Sequence, residues 1–149
     1  MAIRAVQLDD RNEWLRMRCL LWPHCPTNEH STEIDAYFQQ DIDRNVVFVQ
    51  TRSTGGLQGF VEVSIRSYAE GYTTDQVGYI EGWYVDADAR RSGVGAALLV
   101  AAEAWARTQG CVEMASDTEL INVTSSAAHQ RLGYTEVEQL VHFRKDLQP

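Results

Sequence analysis

The chain has 149 residues, 44% of them hydrophobic and 23% charged, with a formal net charge of −8. That is the size of one domain (residues 1–149) able to bury a two-layer core, and no run of like charge reads as a disordered tail. The acid excess argues against nucleic acid and membrane surfaces as partners, because its long-range field repels phosphates, and it favours a cationic ligand. No apolar stretch nears the roughly 20 residues that span a bilayer. The opening MAIRAVQLDD lacks the apolar core of a signal peptide, so a soluble, cytoplasmic protein is expected. Cys19, Cys25 and Cys111 are odd in number and scattered, which suits reduced thiols better than a disulfide framework.

In chain order, AIRAVQL predicts a short first strand, and Asp9 or Asp10 can cap a helix in which Trp14, Met17 and Leu21 recur at spacings of three and four. Pro23 stops it, and LWPHCPTNEH, with two prolines, reads as a loop. Ser31 or Thr32 can cap a second helix with Ile34, Phe38 and Ile42 on one face. NVVFVQT and LQGFVEVSIRS, joined by STGG, predict a hairpin. After the polar loop YAEGYTTDQ, VGYIEGWYV reads as a strand whose interior Gly82 marks a bulge or a close backbone approach. Ser92 can cap a helix from about Gly93 to Gln109, closed by Gly110. CVEMAS is a further strand, NVTSSAAHQRLG a helix closed by Gly133, and YTEVEQLVHFRKDL one or two final strands. The pattern is α/β, without internal repeats.

The stretch ARRSGVGAALL opens the third helix with two arginines and two glycines. A helix start exposes backbone N–H groups and partial positive charge, so small residues there can cradle a phosphate, with Arg90 and Arg91 adding full charge. Glycines also occur wherever a helix packs tightly on a sheet. The dinucleotide fingerprint is excluded by Leu98 where a third small residue belongs, and the P-loop by the absence of Gly-Lys-Ser/Thr.

The segment VGYIEGWYVDADA followed by RRSGVGAALLVAAEAWARTQG resembles the acetyl-coenzyme A (acetyl-CoA) signature of the GNAT superfamily of N-acetyltransferases, its Gln/Arg-x-x-Gly-x-Gly/Ala being matched by Arg90, Gly93 and Gly95. NVTSSAAHQRLGY resembles the second half of that family's cofactor site. The resemblance implies a single GNAT domain: a mixed, mostly antiparallel twisted sheet with splayed central strands and about four helices. It implies that Arg90, Arg91, Ser92, Gly93, Val94, Gly95 and Ala96 hold the cofactor pyrophosphate, that Asn122 also lines the cofactor, and that Trp83, Tyr84 and Val85 present backbone groups to the acetyl carbonyl and pantetheine arm. A bulged strand frees an N–H to stabilise an oxyanion. His129 stands where the family often has a tyrosine that protonates the leaving thiolate; imidazole can serve as that acid or as a hydrogen-bonded packing residue.

LLWP, SIRSY, YIEGWYV, MASDTELIN and GYTEVEQLVHFRK extend the resemblance, almost end to end, to the aminoglycoside 6'-N-acetyltransferases. This implies that Glu81, Asp117 and Glu138 bind the ammonium groups of the drug, with Trp22 and Tyr68 as aromatic walls. Taken alone, Trp22 reads first as core and Asp117 and Glu138 as surface acids, and Tyr72 competes with Tyr68. Glu81 is odder, since an unpaired carboxylate in an apolar strand is costly. Cys19, His24, Cys25 and His30 lack the paired spacing of a structural metal site, so no metal is expected.

The implied reaction is direct acetyl transfer in a ternary complex, with Glu81 taking the amine proton, directly or through a water, and Asp117 holding the amine. A homodimer with the C-terminal strands near its interface is implied as well. The alternatives are an acetyltransferase of a polyamine, peptide or other small amine, and an inert acyl-CoA-binding module.

Overall fold

The computed structural model describes residues 2–40 and 44–148. Its sheet runs in chain order, β1 (Ile3–Ala5), β2 (Asn45–Thr51), β3 (Leu57–Arg66), β4 (Val77–Val85) and β5 (Met114–Ser116). The first four strands are antiparallel and β5 lies parallel to β4. Four helices accompany them: α1 (Arg11–Leu21), α2 (Thr27–Phe38), α3 (Val94–Thr108) and α4 (Val123–Arg131). This is the mixed, mostly antiparallel architecture the resemblance implies.

Strand alternation divides the two faces. Val61, Val63 and Ile80 pack on Leu98, Leu99 and Ala102 of α3. On the other face Trp14, Met17 and Ile34 of α1 and α2 pack on Val47, Val49 and Phe60. Each of the larger aliphatic side chains among them contributes about 1.5–3 kcal/mol on leaving water.

One irregularity organises the centre. Glu62 pairs with Gly82, but the next residue, Val63, pairs with Ile80, so Glu81 is the extra residue of a bulge. Parity reverses across it: Ile80 before the bulge and Trp83 and Val85 after it all pack toward α3. The pairing of β4 with β5 covers Gly78 to Ile80 against Met114 to Ser116 and ends there, so the two strands part at the bulge. Both readings of Gly82 hold, because a Cβ on it would lie 2.5 Å from the Trp22 ring.

Several local expectations are corrected. Helix α2 begins at Thr27, inside the expected loop, rather than after Ser31 or Thr32. Pro26 occupies its N-cap, where a missing N–H costs nothing, and Pro23 and Pro26 break the chain only up to that point. Asp10 does not cap α1 through its side chain; its carboxylate takes a hydrogen bond from the Gln7 N–H and a two-pronged ion pair from Arg4. Ser92 does not cap α3, because its hydroxyl donates to the Ala89 carbonyl and the N-cap is Gly93. Ile42 lies outside the described residues. YTEVEQLVHFRKDL forms no strand: residues 135–148 carry no regular structure and are exposed. A strand exists only with a partner ladder, and this segment pairs with none among the described residues.

Ionisation of the framework sets its acid limit. Hydrogen bonds from Arg4 and Arg16 hold the Asp10 and Glu13 carboxyls below the ordinary carboxylate range. Burial pushes the Asp86 carboxyl up, but hydrogen bonds from Arg16 and Arg52 outweigh it and leave it low. Groups lowered in this way contribute stability that is complete above their unfolded values, near about 4, and is lost as pH falls through the lower folded values. Glu62, raised chiefly by burial, contributes in the opposite sense, losing stability as pH rises. With the lowered groups outnumbering the raised Glu62, the melting temperature should climb as pH rises between about pH 2 and pH 4. Thermal unfolding across that range checks it, and a flat profile would contradict the ion-pair account.

Candidate active site

The turn between β4 and α3 is built on two left-handed residues, Arg91 (φ 63°) and Gly93 (φ 86°). Left-handed positions in a tight turn aim successive N–H groups to one side, which makes a concavity for an anion. Gly93 supplies no side-chain cap, so the first-turn N–H groups of α3 have no covering side chain from their own N-cap. Residues 90–93 are exposed, whereas Val94 is buried beneath them. The Arg90 Nε donates to the Val85 carbonyl at 2.9 Å, with its guanidinium 5.7 Å from the Tyr84 ring centroid. Gly95 has a further duty: a Cβ there would meet the Trp83 indole at 3.1 Å, and Trp83 Nε1 donates to the Gly95 carbonyl at 3.1 Å. Ala96 is half-buried beside it. Trp83 therefore ties the turn to β4 through its side chain, a role beyond the backbone one expected of it.

Across the gap where β4 and β5 part stands His129. Its Nδ1 lies 2.8 Å from the Ser125 carbonyl and its Nε2 2.8 Å from the Ser116 hydroxyl. A carbonyl only accepts, so Nδ1 carries the hydrogen and Nε2 faces Ser116, the last paired residue of β5. The imidazole also meets Trp83 and Tyr134 edge to face, with centroids 5.2 Å and 5.8 Å away. Asn122 caps α4, its side-chain oxygen accepting from the Ser125 N–H at 3.0 Å.

The opposite face carries the acceptor candidates. Trp22 lies over Gly82, stacked on the buried His30 with centroids 6.0 Å apart and with the Arg18 guanidinium 5.1 Å from its own ring. His30 Nε2 lies 3.2 Å from the Trp22 carbonyl. Glu81 is not the unpaired carboxylate its sequence context suggests. Arg66 grips both its oxygens, Nη2 to Oε1 at 2.6 Å and Nε to Oε2 at 2.9 Å, and the Ser64 hydroxyl donates to Oε2. Asp117, at the exposed end of β5, accepts from the Tyr79 hydroxyl at 2.5 Å. Burial, then that bond, pushes the Tyr79 phenol well above its ordinary value. Trp22, Gly82, Glu81, Arg66, Tyr79 and Asp117 thus form one connected surface.

Tyr68 is exposed on the loop after β3, while Tyr72 is half-buried with its hydroxyl on the Met114 carbonyl at 2.6 Å, a structural duty for the competing tyrosine. Glu138 lies on the exposed tail. Beside Glu81, a cavity of about 380 Å³ opens between α2 and the sheet, lined by Trp14, Arg18, Glu33, Tyr37 and Glu62. In it Glu62 accepts from Trp14 Nε1 and pairs with Arg18, both at 3.0 Å. Cys19 of α1 lies against Thr27, Cys25 against Glu29, and His30 of α2 against the Trp22 carbonyl, so these side chains make local contacts.

Sequence reasoning missed Ser64, Arg66, Tyr79 and Ser116. The first two were signalled by period: Glu62, Ser64 and Arg66 alternate with Val61, Val63 and Ile65, which marks a polar stripe on one face of β3. Tyr79 stands two residues before Glu81, the same offset on its strand.

A sheet that splits at a bulge, with an anion-binding turn at one end and carboxylates at the other, is the framework of an acyl transferase that uses a phosphate-bearing donor. The chain belongs to the acetyltransferase (GNAT) family, whose sequence profile matches residues 14–134. It is 47% identical, over 97% of its length and 96% of the relative's, to the aminoglycoside N(6')-acetyltransferase type 1 of Klebsiella aerogenes. Its identity to the enzyme of that name from Stenotrophomonas maltophilia is 38%, covering 99% of this chain and 94% of the relative. Among solved structures it superposes on AAC(6')-Iy in complex with the bisubstrate analogue CoA-S-monomethyl-acetylneamine with a TM-score of 0.89, at 33% identity and 97% coverage of both chains. With AAC(6')-Ig from Acinetobacter haemolyticus the TM-score is 0.90 at 34% identity, over 99% of this chain and 100% of that one.

The contact between Gly82 and Trp22 is directly testable. Replacing Gly82 by Ala should lower stability by about 1–3 kcal/mol, as overpacking does, and displace Trp22. In a Trp22→Ala background the same change should cost almost nothing. Equal losses in both backgrounds, measured by chemical denaturation, would show that the two residues do not oppose each other.

Proposed function

We propose that the chain transfers the acetyl group of acetyl-CoA to the 6'-amino group of aminoglycoside antibiotics by direct attack in a ternary complex, conferring resistance. The observation that carries this reading is full-length similarity to enzymes named for that reaction, at up to 47% identity among the relatives compared. The geometry supports it. The uncapped, glycine-hinged turn fits a pyrophosphate, and the parting of β4 from β5 beside it fits the extended arm of an acyl-CoA. When bound, acetyl-CoA supplies an activated thioester; no protein nucleophile is required.

The residues of the chain then divide the work. Residues 90–96, with the Asn122-capped start of α4, receive the donor. Backbone N–H groups of the bulged segment from Trp83 to Val85 stabilise developing negative charge on the carbonyl oxygen. Glu81, directly or through a water, takes the proton of the incoming ammonium, and Asp117, fixed by Tyr79, holds the amine. Trp22, with Tyr68 and Glu138, bounds the amino sugar. Ser116 stands at the fork with His129 behind it, and the departing thiolate takes its proton from His129 by way of the Ser116 hydroxyl.

The chain acts as a homodimer in this reading. Val137, Leu140, Val141, Phe143 and Leu147 are each more than half exposed on the tail, an apolar run that a second copy would cover. No helix among the described residues is long and apolar enough to cross a membrane. The location proposed is the cytoplasm, where acetyl-CoA is available.

Turnover is checked by thiol release from acetyl-CoA with a panel of aminoglycosides, polyamines and peptides; activity confined to 6'-amino aminoglycosides is expected, and none with any of them would end this reading. Glu81→Gln and Asp117→Asn should lower kcat by about 10²–10⁴-fold, the usual worth of positioned proton transfer, with acetyl-CoA binding nearly intact. Phe143→Asp with Val141→Asp should convert a dimer to a monomer in light scattering. An unchanged mass would place the contact elsewhere.

A further inference from the structure

We propose that Arg66 is an internal counter-cation, seated on Glu81 in the place the acceptor ammonium takes, and that binding of the acceptor displaces it. The inference rests on Glu81 receiving the acceptor amine. Arg66 is the last residue of β3, where only one side of the backbone is paired in the sheet and its side chain is 44% exposed. Its fork nonetheless engages both Glu81 oxygens, at 2.6 Å and 2.9 Å, and its central carbon lies 3.5 Å from the Tyr79 ring centroid. Those are the features that would hold a substrate ammonium: a carboxylate, the face of an aromatic ring, and Asp117 one hydrogen bond beyond. With Ser64 also donating to Oε2, little acceptor capacity is left on Glu81 for an incoming amine or for the proton it must surrender. The amine and Arg66 therefore compete.

The neighbouring ion pair shows why this one can exchange. Arg18 on Glu62 has a side chain only 7% exposed, is shared with Glu33, and packs under Trp14 and Trp22. Removing that cation would strand a buried carboxylate, which is strongly unfavourable. Arg66 on Glu81 is a partly solvated pair, and such pairs are weak enough to be traded for another cation, while the freed guanidinium can turn into water. Arrival of a charged acceptor thus uncovers the oxygens of Glu81, whereas a neutral molecule leaves Arg66 in place. The base is screened until a cation of the right reach enters.

Binding of neamine to the protein, measured by titration calorimetry without the acetyl donor, tests the idea. Arg66→Gln should bind neamine about two- to fivefold more tightly than wild type, the range that loss of a partly exposed competing pair allows, with Arg66→Lys between them. Millimolar guanidinium chloride should weaken neamine binding to Arg66→Gln toward the wild-type constant by refilling the seat. Weaker or unchanged binding in Arg66→Gln, or its improvement by guanidinium, would overturn the proposal and make Arg66 a residue that only holds Glu81 in position. Wild type that fails to bind neamine at all would remove the acceptor reading and this inference with it.

Discussion

One extra residue in β4 governs the rest of the molecule. Because Glu81 has no partner across β3, side-chain parity reverses between Ile80 and Trp83, and the ladder to β5 stops at Ile80 and Ser116. A regular strand would have put either Ile80 or Trp83 on the wrong face. With the bulge, α3 keeps a continuous apolar contact while a carboxylate is turned to the opposite side at the point where the sheet opens. Gly82 completes the device. It lets the strand bend and lets Trp22 lie against the backbone, so the proposed wall of the acceptor surface and the irregularity of the strand are made by the same two or three residues.

Charge is distributed to match. Several arginines of the framework are neutralised in place: Arg4 by Asp10, Arg11 by Asp35, Arg16 and Arg52 by Asp86, Arg18 by Glu62. Arg90 and Arg91 enter no ion pair among the described residues, so the turn before α3 keeps its cationic character in a chain of net charge −8. The excess acid is free to act at long range on a polycation. In the proposed reading, local charge selects the anionic donor at one end of the split sheet, and overall charge favours the cationic acceptor at the other.

Much of this was legible in the sequence, for identifiable reasons. Trp14, Met17 and Ile34 follow helical spacing and are core, and the hairpin from Asn45 to Arg66 follows its β-branched runs and glycine turn. Gly93 and Gly95 stood out because a turn of that kind needs them, although Gly95 serves Trp83 as much as any phosphate. Partners distant in sequence were not legible. Nothing local to Glu81 reveals that Arg66, fifteen residues earlier, will hold it, and nothing local to His129 reveals Ser116. The start of α2 was misplaced because Pro26 reads as a loop residue until its helix is seen to begin directly after it. The tail was misread for a related reason: β-branched and aromatic residues in YTEVEQLVHFRKDL give strand propensity, but propensity without a ladder leaves the segment exposed.

The two sides of the split differ in how firmly they are held, and that difference follows from their jobs. On the donor side Trp83 is locked to Gly95, His129 is bonded at both nitrogens, and Tyr134 donates to Glu103 at 2.7 Å, so the wedge between β4 and α4 is braced by polar contacts from four elements. On the acceptor side Trp22 is braced by His30 and Arg18, Glu81 by Arg66 and Ser64, and Asp117 by Tyr79, while Tyr68 and Glu138 stand on exposed segments. In the proposed reading the braced wedge orients the donor, because orientation of the thioester carries much of the rate. In that reading, polycations of varied ring number meet Tyr68 and Glu138 on exposed segments around Trp22, and the held carboxylates of Glu81 and Asp117 aim the 6'-amine while the remainder of the drug finds its own partners.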